Sequence, residues 1–323
     1  MIQQGLVAMA LAVLGIFAQP ALKPDAPIKC SSCDEWNVPV EGFKVYGNTY
    51  YVGTAGLSAL LVTSPQGHIL LDGGLTQSAP LIEANIRKLG FKLEDVKLIL
   101  NSHAHYDHAA GIAALQRASG ATVVSSASGA EGFAIGTAVP DDPQIGFGKT
   151  ENAFPAVKNV RVVKDKDVVR VGPLALTMHN TAGHTPGSTT WSWQSCEPSS
   201  PKPQPGPQRG SRAGVEASSP QKCMNMVYAD SISAISAPGF RFTGDAKTPS
   251  RVDQFRKSIT TVGELPCDIM ITTHPMATNL AEKLKKRAEK PAVDPFIDPQ
   301  ACRVLAANAM KVLEARVAEE NKK

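Results

Sequence analysis

Asn101-Ser102-His103-Ala104-His105-Tyr106-Asp107-His108 places three histidines and one aspartate within eight residues, directly after the apolar run Val96 to Leu100. A short run of that kind reads as a buried strand, and the stretch Gly111 to Arg117 after it has helical spacing. On extended backbone His103 and His105, two positions apart, project to the same side and are able to bind one metal together. Asp107 and His108 fall where the chain turns into the helix, and so address a second metal beside the first. Imidazole nitrogen and carboxylate oxygen are both zinc ligands. A chain of this composition yields H-x-H-x-D-H by chance on the order of once in several thousand. A loop of solvated histidines would also have to explain Asp107 and the buried strand feeding in.

Two further histidines complete the set. His184 lies in Thr181-Ala182-Gly183-His184-Thr185-Pro186-Gly187, a loop between two strand-like runs, and His274 follows the run Asp268 to Thr272. Five histidines and Asp107 divide into two sites of three protein ligands each. Three ligands and an open position mark a catalytic zinc rather than a structural one, which argues against a zinc-stabilised binding module. His68 and His179 sit within strands among apolar neighbours and read as packing or hydrogen-bonding residues. No G-x-S-x-G nucleophile elbow is present, which fits a water-based hydrolysis.

Outward from the cluster, strand-like runs at Thr49 to Val52, Leu57 to Thr63 and His68 to Leu71 are separated by turns. Gln77 to Leu89 has helical spacing, with Gly90 as its stop. A strand at Thr122 to Ser125 closes the first half. In the second half strands are expected at Val160 to Val163, Val168 to Val171, Leu174 to His179, Thr189 to Trp193, Met226 to Ala229 and Asp268 to Thr272. Helices are expected at Val252 to Leu265 and at 299–320. Such blocks imply two sheets face to face with helices outside.

The 323 residues carry a net charge of +4. The basic stretch Lys283-Leu284-Lys285-Lys286-Arg287 has no interleaved aromatics and reads as a solvated helix face, so no nucleic-acid partner is expected. Residues 6–18 form a 13-residue apolar run, short for a membrane span and suited to an export signal. The expected organisation is a signal peptide at 1–21, an arm at 22–42 and one domain at 43–323. Six cysteines fit an oxidising compartment, periplasmic or secreted, and allow 15 pairings. Cys30-Ser31-Ser32-Cys33 reads as a local disulfide or two idle thiols. Residues 197–222 hold six Pro, three Gly and five Ser, and are expected to form a mobile surface insertion. Cys196 and Cys223 bracket it; a disulfide there would pin its mouth, and Cys267 with Cys302 would then staple the C-terminal helix.

At this point the sequence resembles the metallo-β-lactamase superfamily, over residues 43–320. Within it the match is to the β-lactamase subclass with an all-histidine first site. It is carried by Tyr46 to Thr54, Gly67-His68-Ile69-Leu70-Leu71-Asp72-Gly73, the His103 cluster, Gly183 to Gly187, and Tyr228-Ala229-Asp230-Ser231-Ile232-Ser233-Ala234. The resemblance implies an α+β, four-layer αββα sandwich. It implies two zinc ions per chain, one on His103, His105 and His184, the other on Asp107, His108 and His274. Ser231 and Ser233 are implied as contacts of the substrate carboxylate, and Asp107 as the residue that orients the nucleophile. The implied activity is hydrolysis of the β-lactam ring of penicillins, cephalosporins and carbapenems by a zinc-bound hydroxide, conferring antibiotic resistance. The partner is then a small β-lactam, with no stable membrane association after leader removal and a monomer expected. The alternative is another hydrolase of the same fold, a thioesterase, lactonase or phosphodiesterase, with Asp230 as a bridging ligand. The loop Ser128 to Asp142 and the arm around Trp36 are expected to set the substrate spectrum. The insertion departs from the short turn expected there and leaves its effect on the mouth of the site open.

Overall fold

The computed structural model describes residues 22–197, 222–246, 248–290 and 292–322. The expected leader and most of the insertion lie outside the described residues. The apolar runs of the first half build one sheet in sequence order: β1 (Phe43–Tyr46), β2 (Thr49–Tyr51), β3 (Leu60–Val62), β4 (His68–Leu71), β5 (Val96–Leu100), β6 (Thr122–Ser125) and β7 (Arg161–Val162). β1 to β4 pair antiparallel through tight connections, and β4 to β7 pair parallel. Parallel neighbours need crossovers. These are supplied by α2 (Ala79–Lys88), by α3 (Tyr106–Ala109) with α4 (Ile112–Ser119), and by α5 (Ala127–Ile135). A short α1 (Cys33–Trp36) lies in the arm.

The second sheet has the order β12-β11-β10-β9-β8, from β8 (Val168–Val171), β9 (Leu174–Asn180), β10 (Thr189–Cys196), β11 (Cys223–Ala229) and β12 (Ile269–Thr272). α6 (Val252–Glu264) makes its single parallel crossover, between β11 and β12. α7 (Leu280–Glu289) and α8 (Ala301–Glu320) follow.

Alternation along each strand sorts the core into layers. Leu60, Val62, Ile69 and Leu71 face Leu176, Met178, Trp191 and Tyr228 between the sheets. Their neighbours Leu61, Leu70, Ile99 and Val123 point outward under Ile82, Ile86, Ile112 and Leu115. Val227, Ala229 and Met270 of the second sheet are covered by Phe255, Ile259, Ala306 and Leu313. Two-sided burial of this kind gives near-continuous apolar strands, as read in the sequence. The four-layer αββα arrangement is the one expected.

Four differences have local causes. The stretch from Ser128, read as a loop, is helical to Ile135. Ser126 caps the helix by accepting a hydrogen bond from the Gly129 N–H, and Gly136 ends it in the left-handed region at φ 69°. Its Gly- and Ala-rich sequence carries little periodic signal. β1 arises where no strand was placed, and pairs with β2. The arm carries α1 where no helix was placed, and Cys30 and Cys33 form the local disulfide that was one of the expected readings. β10 and β11 extend beyond the expected runs and pair as far as Cys196 opposite Cys223, which are bonded. Cys267 is bonded to Cys302. The insertion therefore leaves the hairpin at its far end. From Thr189, beside the His184 loop, to Cys196 is seven strand steps, roughly 23 Å at 3.3 Å each. Among the described residues no helix is long and apolar enough to cross a membrane.

The last helix is anchored by charge. Glu320 accepts hydrogen bonds from the Phe242 and Thr243 N–H groups at 3.1 and 2.9 Å and from the Thr243 hydroxyl at 2.9 Å, and pairs with Arg316 at 2.7 Å. Burial works against the carboxylate, but these donors outweigh it and hold its pKa below the ordinary 4.5. A folded pKa lower than the unfolded one stabilises the protein above the unfolded value, and that stability is lost as pH falls through the folded one. Glu320→Gln is expected to lower stability by about 1–2 kcal/mol at neutral pH. In thermal melts the gap from wild type should close on acidification; a gap independent of pH would contradict the ionic anchor.

Candidate metal centre

The five cluster histidines and Asp107 converge at one edge, where β5, β11 and β12 end and the β9–β10 connection turns back. His103 follows β5 by three residues, His274 follows β12 by two, and His184 lies between β9 and β10. Gly183 places His184: it packs directly on the ring of Phe255 in α6, with no room for a side chain. α3 carries Asp107 and His108 on its first turn. Gly111, at the start of α4, lies against the Gly73 carbonyl, and this close approach seats both helices on the end of β4.

Two groups of metal-ligating atoms result, each with its atoms within 4.8 Å of one another. One is His103, His105 and His184, the trio expected for the first site. The other is His103, Asp107 and His108. His274 also joins the second group. Asp107 Oδ2 lies 3.2 Å from His108 Nε2 and 3.2 Å from His274 Nε2, and those two nitrogens are 3.2 Å apart. A tetrahedral zinc with bonds of about 2.0–2.2 Å sets its ligand atoms roughly 3.3–3.6 Å apart. The triangle fits that ion.

Four of the five rings are held by one nitrogen and turn the other toward the cluster, where that of His184 also meets the Gln144 amide. His103 Nδ1 is 2.6 Å from Asp230 Oδ1, which leaves Nε2, buried and without a hydrogen-bond partner among the described residues. His105 Nε2 lies 3.1 Å from both carboxylate oxygens of Asp142, so Nδ1 faces the cluster. His184 Nδ1 contacts the Ser233 carbonyl and hydroxyl, both at 3.1 Å. His274 Nδ1 donates to the Gly56 carbonyl at 3.2 Å. Fixing the far nitrogen sets tautomer and ring orientation, as metal-binding histidines require.

The electrostatics agree. Burial pulls His103 well below the ordinary imidazole range and, with His103 and His105 beside it, brings His184 down to about 3, so both stay neutral and able to ligate. Burial also acts on His108, but Asp107, Asp72 and Asp230 outweigh it and push its pKa up to about 9. Asp107 resists its own burial because His108 and His274 hold its carboxyl well below the usual range. The carboxylates around His108 and His274 thus favour a positive charge at this edge, which a cation supplies.

Several residues that build the site were not singled out as site residues in the sequence. Asp72, inside the quoted Leu71-Asp72-Gly73 motif, accepts from the Ser102 N–H at 2.7 Å, the Ser102 hydroxyl at 2.6 Å, the Tyr228 hydroxyl at 2.8 Å and the Asn101 amide at 3.2 Å. It braces the loop that carries His103. Asp142 and Gln144, whose amide lies 3.2 Å from His184 Nε2, come from the irregular stretch after α5, where only spatial proximity marks them. Ser231 Oγ lies 2.9 Å from Thr273 Oγ1, so both serines already have protein partners. Trp36 of α1 packs its ring 5.3 Å from that of His274. His68 packs edge-on against Phe91, and His179 sits between Lys166 and Ser192. Neither belongs to the cluster.

The profile of the family described as "Metallo-beta-lactamase superfamily" matches residues 52–196. Among solved structures, the Rm3 metallo-beta-lactamase is 46% identical, with a TM-score of 0.79; the match covers 91% of this chain and all of that one. MEM-A1, a subclass B3 metallo-beta-lactamase from a soil metagenome library, is 45% identical over 89% of this chain and 99% of its own, with a TM-score of 0.77. MIM-1 from Novosphingobium pentaromativorans is 40% identical over 89% and 93%, with a TM-score of 0.75.

Proposed function

Because the chain belongs to the metallo-β-lactamase superfamily, we infer that it hydrolyses the amide bond of β-lactam antibiotics, and we propose that it does so with two zinc ions. The observation that carries the metal assignment is the triangle of Asp107, His108 and His274, with 3.2 Å edges, beside the trio of His103, His105 and His184. These six residues would hold the two ions. Bound zinc supplies Lewis-acid polarisation and a water whose pKa falls toward about 7. The protein's own residues do the rest. Asp107, kept ionised, accepts a hydrogen bond from the attacking water and fixes its direction. Asp230, Asp142 and Ser233 hold the rings of His103, His105 and His184 in place. Ser231 and Ser233 line the edge next to His184 and His274, and bind the carboxylate that β-lactams carry beside the ring. The rival assignment makes Asp230 a bridging ligand in a thioesterase, lactonase or phosphodiesterase. Its Oδ1 contacts the outer nitrogen of His103, which supports a positioning role, while Oδ2 is buried without a hydrogen-bond partner among the described residues. Export to an oxidising compartment is supported by the three disulfides.

The test is carbapenem hydrolysis followed by ultraviolet absorbance, with zinc content measured in the same samples. Turnover removed by a chelator and restored by zinc, with two ions per chain, is the expected result. Fully zinc-loaded protein that opens no β-lactam would overturn the reading and make Asp230 the first residue to re-examine.

A further inference from the structure

A cavity of about 270 Å³ adjoins the metal centre, lined on one side by Asp230, Ser231, Ser233, Thr273 and His274. The wall of interest comes from α8: Leu305, Asn308, Ala309 and Val312. Their spacing, i, i+3, i+4 and i+7, is one face of a helix. Three of the four are apolar. Val312 is 56% exposed, while Leu305 and Ala309 are partly buried where α8 packs on α6 and the second sheet. Apart from buried Asp230 and from His274, no titratable side chain among the described residues lines the space.

Size and position identify the occupant. Pockets that take a whole drug-sized ligand measure about 300–1,000 Å³, so this one holds a part of a ligand. It shares Ser231 and Ser233 with the place proposed for the substrate carboxylate, and His274 with the metal centre. The part nearest a carboxylate seated there is the substituent on the carbon next to the one that bears it. We propose that the α8 face of Leu305, Ala309 and Val312 is an apolar subsite for that substituent. The C-terminal helix then selects among β-lactams by the apolar group they carry on the carboxylate-bearing ring. This rests on the β-lactamase reading given above.

The experiment compares two cephalosporins with the same acylamino side chain, one carrying an arylthiomethyl group beside the carboxylate-bearing carbon and the other a methyl group. A second pair varies only the acylamino group. Wild-type protein should favour the aryl compound in kcat/KM, through KM. Ala309→Phe, which fills the cavity, and Val312→Ser, a milder change at an exposed position, should each shift that preference, the first by about tenfold or more. Val304→Phe, on α8 but outside the cavity lining, should leave it where it was, and thermal melts report folding of all three. A preference unchanged in both cavity variants, or a change confined to the acylamino pair, overturns the subsite while leaving the activity intact. Wild-type protein that hydrolyses none of the four compounds overturns the activity reading itself, and the subsite with it.

Discussion

Asp107→Ala is expected to lower β-lactam turnover by about 10³-fold or more, while far-ultraviolet circular dichroism stays at the wild-type level. The size follows from how many tasks meet at one carboxylate. Asp107 Oδ2 is 3.2 Å from both His108 Nε2 and His274 Nε2, so its removal breaks two edges of the second ligand triangle. It also deletes the acceptor that orients water, and acid–base contributions of that kind are worth about 10²–10⁴ on their own. Zinc content should fall from two ions per chain toward one, because His103, His105 and His184 are untouched. Asp107→Asn separates charge from shape. The amide fills the same space, but it places no negative charge opposite His108, so most of the loss should persist. Asp107→Ala protein that keeps near-wild-type hydrolysis and two zincs would falsify the role given to this residue.

Asp72→Ala should produce the largest loss of stability of any single change near the site. Asp72 is fully buried, and its two oxygens serve four donors, two of them on Ser102. Alanine orphans the buried Ser102 N–H and hydroxyl and leaves the Asn101 amide and the Tyr228 hydroxyl with only their second acceptors, the His103 and Ser58 carbonyls. A cost of about 3 kcal/mol or more follows, since each orphaned group carries about 1–3 kcal/mol. In a chain of this size that corresponds to a melting temperature lower by roughly 10 °C. Metal affinity should fall with it, because the Asn101-Ser102 segment sets the direction of His103. Asp72→Asn tests the cause. Asp72 has φ 59°, a left-handed conformation that asparagine tolerates, so the backbone is not strained. The amide keeps one acceptor oxygen but turns an NH₂ toward donors, so an intermediate loss is expected. Equal losses in the two variants would point to the lost negative charge, which both share, instead of the hydrogen bonds.

Much of this was legible in the sequence, and the reason is locality. His103, His105, Asp107 and His108 are adjacent in the chain, so extended backbone turning into a helix already determines which of them face one another. His184 and His274 follow strands whose apolar composition shows them to be buried. The αββα layers follow from strands that are apolar on both faces. Asp142 and Gln144 were not legible, because their contacts with His105 and His184 join segments 37 and 40 residues apart. α5 was missed because Ala127-Ser128-Gly129-Ala130 offers no apolar stripe, and only its Ser126 and Gly136 boundaries mark a helix. β1 was missed because its inward residues, Val45 and Tyr46, are too few to show alternation. Asp72 stood in plain view at the end of an apolar run, where a charge has to be explained by what it bonds.

The bridge between Cys196 and Cys223 gives this chain a place where length is free to drift. Closure at the outer end of a hairpin fixes the register of β10 and β11 whatever is spliced between them, and longer loops add closure entropy only logarithmically. The catalytic edge lies at the opposite end of the same two strands. Mutation is then able to lengthen, shorten or rewrite the intervening segment without asking the chemistry to adapt. For the protein engineer the same pair of cysteines marks a graft site, roughly 23 Å along the strands from the catalytic edge.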